Sequence, residues 1–239
     1  MDLSAIMREV DLQGFSIMMD DELMTHASGA REEYLGLFAD LPLHAPREPM
    51  VPSFLETLPW RKLAIGSKNG VGDPYAQFLQ TTYFGRNGNG SPHIKGLFDR
   101  MVVLRNRATQ LNDSFGEDPE LDGFWNARRI HHYPRGGGFM MRHRDTHFPA
   151  ALQKSDAPFL QMMVLLSEKG FDFHEGGGFV ESSSGERRFP EDDFGVGSIV
   201  FFDERTFHGV DDIDPYEVCQ FNAPSGRFAA FVNLYAYLE

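Results

Sequence analysis

A chain of 239 residues with 41% hydrophobic and 24% charged side chains has the material for one domain with a sizeable core. Its net charge of −13 speaks against unaided binding to nucleic acid or to an anionic membrane, both of which need a basic face. A single cysteine, Cys219, excludes an internal disulfide and a Cys-pair zinc site, and reads as a small packed hydrophobe. The first ten residues carry Asp2, Arg8 and Glu9 without the apolar core of a signal peptide, and no apolar run reaches the length of a membrane span. A soluble cytoplasmic protein is the expectation.

Residues 14–19 read as a short strand, and Asp20-Asp21-Glu22-Leu23 as the capped start of a helix running to about Phe38. Residues 40–90 are rich in Pro and Gly, with strands expected at 60–65 and 77–84. The Gly-rich 66–90 region reads either as a lid over a pocket or as plain surface loops. Ser91-Pro92 opens the clearest helix: serine caps, proline suits the first helical position, and Ile94, Leu97, Phe98, Met101 and Val102 keep helical spacing. From Asn126 the pattern changes to short strands and turns, at 126–133, 139–144, 159–166, 177–181, 198–203, 217–221 and 227–237, which suggests a sandwich or barrel. The expected division is 1–125 as an α/β buttress and lid, and 126–239 as a mainly β catalytic core, packed as one structural unit.

His143-Arg144-Asp145 and the distant His208 make a two-histidine, one-carboxylate set, which covers one face of an Fe(II) octahedron and leaves the other open, as in non-haem oxygenases. Alternate side chains of a strand share a face, so His143 and Asp145 point one way and Arg144 the other. His208 lies in Phe207-His208-Gly209-Val210 after the apolar run 197–202, a context that reads as a strand delivering a third ligand from the far side of a barrel. An H-x-D triplet alone is a weak signal. A 2-oxo acid co-substrate would chelate the iron and need a buried cation for its far carboxylate, a task suited to the planar fork of arginine. Arg227 opens an apolar strand; if it points inward, Ala229, Phe231 and Asn233 share its face, and otherwise it is that strand's solvated end.

The stretch Ile130-His131-His132-Tyr133-Pro134-Arg135-Gly136-Gly137-Gly138-Phe139, leading to His143-Arg144-Asp145, resembles the Fe(II)/2-oxoglutarate-dependent dioxygenases, in their prolyl-hydroxylase-like branch. Glu175-Gly176-Gly177-Gly178-Phe179, the strand at 195–202 before His208, and Gly226-Arg227 with its apolar strand are similar to further segments of that family in the same order. The resemblance spans roughly residues 126–237. It implies a mainly β fold with N-terminal α-helices, a double-stranded β-helix of jelly-roll (cupin-like) form. It implies His143, Asp145 and His208 as iron ligands, Arg227 as the 2-oxoglutarate clamp and Tyr133 as a hydroxyl donor to that co-substrate. The implied reaction consumes O2 and 2-oxoglutarate and oxidises a C–H bond, by default to a hydroxyl, on a small amino acid, peptide or natural-product intermediate. The stretch between His208 and Arg227 is longer than the family pattern, and a substrate-facing loop fits there.

His131, His147, Gln161 and Asn233 are candidate substrate-pocket residues. His131 shares the face of Tyr133 and reads either as a pocket contact or as a satisfied core histidine, while His132 faces outward. His147 follows Asp145 by two residues and belongs at the pocket mouth rather than on the metal. Three other readings stand beside the dioxygenase: a protein side-chain (prolyl-type) hydroxylase, a cupin-like metalloenzyme without 2-oxoglutarate, and a barrel that binds without catalysis.

Overall fold

The structure is a computed structural model that describes residues 3–45, 52–66, 75–146 and 159–237. The chain begins with α1 (Leu3–Gln13), β1 (Phe15–Met18) and α2 (Asp21–Phe38), followed by β2 (Leu43–His44), β3 (Trp60–Gly66) and β4 (Gln77–Phe84). Next come α3 (Pro92–Ala108), the single turn α4 (Pro119–Asp122), β5 (Phe124–Pro134) and β6 (Gly138–His143). After β7 (Gln161–Leu165), β8 (Gly177–Glu181) and β9 (Arg187–Arg188), a short α5 (Pro190–Asp193) precedes β10 (Ile199–Phe202), β11 (His208–Ile213) and β12 (Gly226–Ala236).

The strands form one curled 12-stranded sheet whose hydrogen-bonded order is β1-β10-β7-β12-β5-β4-β6-β11-β8-β9, with β3 and β2 branching from β4. Strand β4 is the fold line, pairing with β5 over Gln80–Phe84 and with β6 at Gln77 and Phe78. One layer is therefore β10-β7-β12-β5 and the other β6-β11-β8-β9. Val180 of the second layer packs among Met163, Leu165, Val200, Phe202, Ala229 and Phe231 of the first, so the two face each other across a barrel interior. This is a double-stranded β-helix, the jelly-roll architecture expected.

Period-two patterning decides what each face of the first layer does. Phe228, Ala230 and Val232 of β12, with Ile130 of β5, point outward and bury against Ile6 and Val10 of α1, Leu23 and Phe38 of α2, and Phe98 and Met101 of α3. Each such fully buried large apolar side chain contributes about 1.5–3 kcal/mol, so this helix-on-sheet layer carries much of the stability. The inner face is left to Arg227, Ala229, Phe231 and Asn233, and Arg227 is 1% exposed rather than a solvated strand end. His132 does face outward, yet it is buried beneath α2.

Local sequence logic explains the helices with one correction. Asp20 caps α2 as expected, its carboxylate accepting from Leu23 N at 2.9 Å. Ser91 precedes α3, but its side chain makes no capping bond. The carboxylate of Glu33 on α2 does that work instead, accepting from the backbone N–H groups of His93 (3.1 Å) and Ile94 (2.9 Å).

Two further expectations change. Residues 217–221 form no strand but belong to the loop after β11, where Val218 is 84% exposed and Cys219 is exposed rather than packed. β11, the strand before that loop, already lies between β6 and β8, so the loop cannot pair back onto it. The loop is fastened at its root by Asp214, whose carboxylate accepts from His174 N (2.9 Å), Glu175 N (2.7 Å) and Arg135 Nε (2.6 Å). Within the 66–90 region, Gln77–Phe84 is the fold-line strand itself, and residues 67–74 lie outside the described part of the chain. Among the described residues no helix is long and apolar enough to cross a membrane.

Candidate metal centre

β6 ends on His143 and β11 begins on His208, and the antiparallel register sets these two residues directly opposite each other. Beyond His143 the chain leaves the sheet, and Asp145 turns back beside them. The ligand-capable atoms of His143, Asp145 and His208 lie within 4.8 Å of one another, with His208 Nε2 3.7 Å from Asp145 Oδ2. Arg144 points away from the cluster; its guanidinium carbon lies 3.9 Å from the Phe207 ring centroid, and that of Arg142 lies 3.4 Å from the same ring. Tyr75 ties down the segment that carries Asp145, its hydroxyl donating to Arg144 O at 2.9 Å and lying 2.7 Å from Thr146 Oγ1.

The donor set fits a divalent metal. His143 Nδ1 faces Met141 O at 2.9 Å and His208 Nδ1 faces Thr206 O at 3.1 Å. A carbonyl only accepts, so each Nδ1 carries the proton and each Nε2 keeps its lone pair, the orientation metal-binding histidines use. Burial pulls the His208 pKa down to about 4, with His143 adding to the drop and Asp145 opposing it, so the ring is neutral at pH 7. Phe202, its ring centroid 4.5 Å from that of His208, forms an apolar wall. Two imidazoles and one carboxylate suit iron with open positions better than calcium or magnesium, which favour all-oxygen sets.

Elsewhere on the interior, Arg227 at the start of β12 is paired in register with Tyr133 of β5. The guanidinium carbon lies 5.3 Å from the Tyr133 ring centroid. Arg227 Nε donates to Glu191 Oε1 at 2.6 Å, with both side chains 1% exposed, and among the described residues Nη2 reaches only Met163 Sδ, at 3.4 Å. Gly178 lets the guanidinium lie close against β8: a Cβ at that position would sit 2.3 Å from Arg227 Nη2 and would force the side chain to shift. Burial raises the Tyr133 pKa to about 12, against the pull of Arg227 and Arg129, so the phenol keeps its proton.

His131 lies between these regions, opposite Ala229, with its ring 4.5 Å from Phe231 and 6.3 Å from Tyr133. Both of its ring nitrogens are buried and have no hydrogen-bond partner among the described residues. Burial, then the nearby Arg129 and Arg227, hold its pKa well below the usual histidine value. Asn233 and Gln161 face the interior and bond to each other, Asn233 Nδ2 donating to Gln161 Oε1 at 2.5 Å, while Arg129 also donates to Asn233 Oδ1. His147 lies outside the described residues. An open cleft of about 810 Å³ lies apart from all of these groups, on the far side of α3, lined by mixed charges such as Arg86, Lys95, Asp99 and Glu117.

Two inward-facing charged residues went unread in the sequence. Arg129 shares odd parity with His131 and Tyr133 on β5, so the same strand alternation turns it inward. Glu191 stands in Pro190-Glu191-Asp192-Asp193, which carries no pattern separating it from a solvated acidic turn.

No protein-family model matches the chain, and no curated protein matches it in sequence. Solved structures do share its fold. A prolyl hydroxylase from Trichoplax adhaerens, in complex with a hypoxia inducible factor oxygen degradation domain peptide, superposes with a TM-score of 0.59 at 13% identity, covering 98% of this chain and 89% of that one. A prolyl-4-hydroxylase from Pseudomonas putida gives a TM-score of 0.59 at 14% identity and 98% coverage of both chains. The alpha-ketoglutarate-dependent epimerase SnoN from nogalamycin biosynthesis gives 0.52 at 12% identity, over 98% of this chain and 82% of that one. The chain thus has the fold of the 2-oxoglutarate-dependent oxygenases, including the prolyl-hydroxylase-like branch, and carries a His-Asp-His cluster in its barrel.

Proposed function

We propose that this protein is an Fe(II)/2-oxoglutarate-dependent dioxygenase that hydroxylates a C–H bond of a small amino acid, peptide or natural-product intermediate. The observation that carries the reading is a single barrel interior holding both halves of the required chemistry. His143, Asp145 and His208 converge with both Nε2 lone pairs available, and a buried arginine stands beside a protonated tyrosine. Ferrous iron and 2-oxoglutarate bound there supply the oxidising chemistry: O2, 2-oxoglutarate and R–H become succinate, CO2 and R–OH.

The residues of the chain divide that task. The Met141 and Thr206 carbonyls fix the tautomers of His143 and His208, and Tyr75 holds the Asp145 segment, so the metal would meet a preformed set. Arg227 and Tyr133 would orient the far carboxylate of 2-oxoglutarate, by charge and by hydroxyl donation. Phe202, Met163, Leu165 and Phe231 give the interior apolar walls that exclude water. His131, whose two buried nitrogens have no partner among the described residues, is a polar contact for the substrate or co-substrate.

A protein side-chain hydroxylase is the alternative, supported by the fold shared with a prolyl hydroxylase that holds a peptide. A substrate screen with free amino acids against proline-containing peptides separates the two. The test of the reaction class is anaerobic. Fe(II) followed by 2-oxoglutarate should produce a weak visible charge-transfer band that needs both additions and is absent in Asp145→Ala. A wild-type protein that binds iron by an independent assay but gives no band is a metalloenzyme of another kind.

A further inference from the structure

The Arg227–Glu191 pair leaves one atom of each partner unused. Arginine and carboxylate usually meet as two parallel hydrogen bonds. Here a single contact, Nε to Oε1 at 2.6 Å, joins them, and among the described residues both Arg227 Nη1 and Glu191 Oε2 are buried without a partner. Among the described residues Nη2 has only the weak acceptor Met163 Sδ. The guanidinium therefore keeps its Nη1–Nη2 edge for another acceptor while its Nε edge is held.

We propose that Glu191 is a resident counter-ion of the co-substrate clamp: it fixes Arg227 through Nε and weakens the grip of the remaining edge on the far carboxylate of 2-oxoglutarate. The proposal rests on the dioxygenase reading above. An incoming carboxylate at the Nη1–Nη2 edge need not displace Glu191, since the two use different nitrogens. It must, however, share one positive charge with a second anion in a buried setting where solvent screens little. Arg227 is hemmed in on the β8 side, because Gly178 packs so closely that even a methyl group there would overlap Nη2. The short α5 that presents Glu191 thus sets co-substrate affinity without itself touching the metal cluster. Glu191 is a positioning residue, acting through Arg227.

Calorimetric titration of the anaerobic Fe(II)-loaded protein tests this, with 2-oxoglutarate and with 2-oxovalerate, which has the same chain length but no far carboxylate. Glu191→Gln keeps an acceptor for Nε and removes the charge. The variant should bind 2-oxoglutarate on the order of tenfold more tightly than wild type, while 2-oxovalerate binding stays the same. Should the amide disturb folding, judged by melting, Glu191→Met is a neutral chain of similar length with the same expected direction. A Glu191→Gln protein that binds 2-oxoglutarate no more tightly than wild type, or gains equally for 2-oxovalerate, overturns the proposal and leaves the dioxygenase reading standing. Iron-loaded wild type and variant that both ignore 2-oxoglutarate overturn the co-substrate reading itself.

Discussion

His132 separates a structural histidine from the three that face the interior. Its ring stacks on Phe228 at 4.6 Å between centroids, meets Phe38 edge-on at 5.0 Å, and places Nε2 2.8 Å from Ser225 O. Burial draws its pKa down to about 4. Above pH 6.5 the ring is neutral folded or unfolded; as pH falls from about 6.5 to 4 only the unfolded chain takes the proton, so stability is lost, by about 3 kcal/mol at most. Denaturant unfolding of the metal-free protein at pH 7 and pH 4.5 should show a loss about 2 kcal/mol smaller in His132→Phe, since His131 and His208 remain in both proteins. An unchanged loss would mean that His132 titrates as an ordinary histidine. Arg227 and Glu191 make a second case, because removing one member of a buried pair strands the other. Arg227→Gln should cost on the order of 3–5 kcal/mol in unfolding free energy, and adding Glu191→Gln should recover much of it. If the double variant is as unstable as the sum of the two singles, the pair is not energetically coupled.

The start of α3 shows how tertiary contacts replace a local rule. Ser91-Pro92 has the sequence of a capped helix, yet the bonds come from Glu33, sixty residues earlier, where the negative carboxylate also meets the positive end of the helix dipole. Glu33→Ala should therefore destabilise the protein by about 1 kcal/mol in urea unfolding, and Ser91→Ala by clearly less. The reverse order would return the cap to Ser91. The same contrast governs what could be read in advance. Strand β12 was legible because an apolar run is flanked by two polar residues of one parity: Phe228, Ala230 and Val232 bury under the helices, while Arg227 and Asn233 share the inner face with Ala229 and Phe231. The H-x-D triplet was legible by its residue types, although β6 ends on His143 and the segment held by Tyr75, rather than strand alternation, brings Asp145 beside it. The segment His208-Gly209-Val210-Asp211-Asp212-Ile213 lacks that alternation, and its strand identity comes from β6 and β8 on either side. Residues 217–221 look more like a strand than they are: β11 before them is already paired on both sides, and 217–220 stay exposed in the loop. Glu191 was invisible for a related reason: only the packing of α5 distinguishes it from the acidic residues beside it.

The barrel as a whole couples its stability to what binds inside it. Its three metal-ligand candidates come from the end of β6, the segment after it and the start of β11, so a bound ion would clip together parts of the layer that the sheet alone joins by backbone bonds. A ligand that binds only the folded state stabilises it by about 2.7 kcal/mol when present at 100 times its dissociation constant. For a domain of this size that corresponds to a rise of roughly 5–10 °C in melting temperature. Anaerobic Fe(II), or Mn(II) as an air-stable substitute, should produce such a shift in wild type. A chain of net charge −13 also attracts divalent ions to its surface, so the shift alone identifies nothing. His208→Ala decides the matter: it removes one donor from the cluster and leaves the acidic surface untouched. The shift should disappear in His208→Ala and persist in Lys95→Ala, a substitution in the charged cleft beside α3. A full shift in His208→Ala would move the metal out of the barrel, and with it the chemistry proposed for His143 and Asp145.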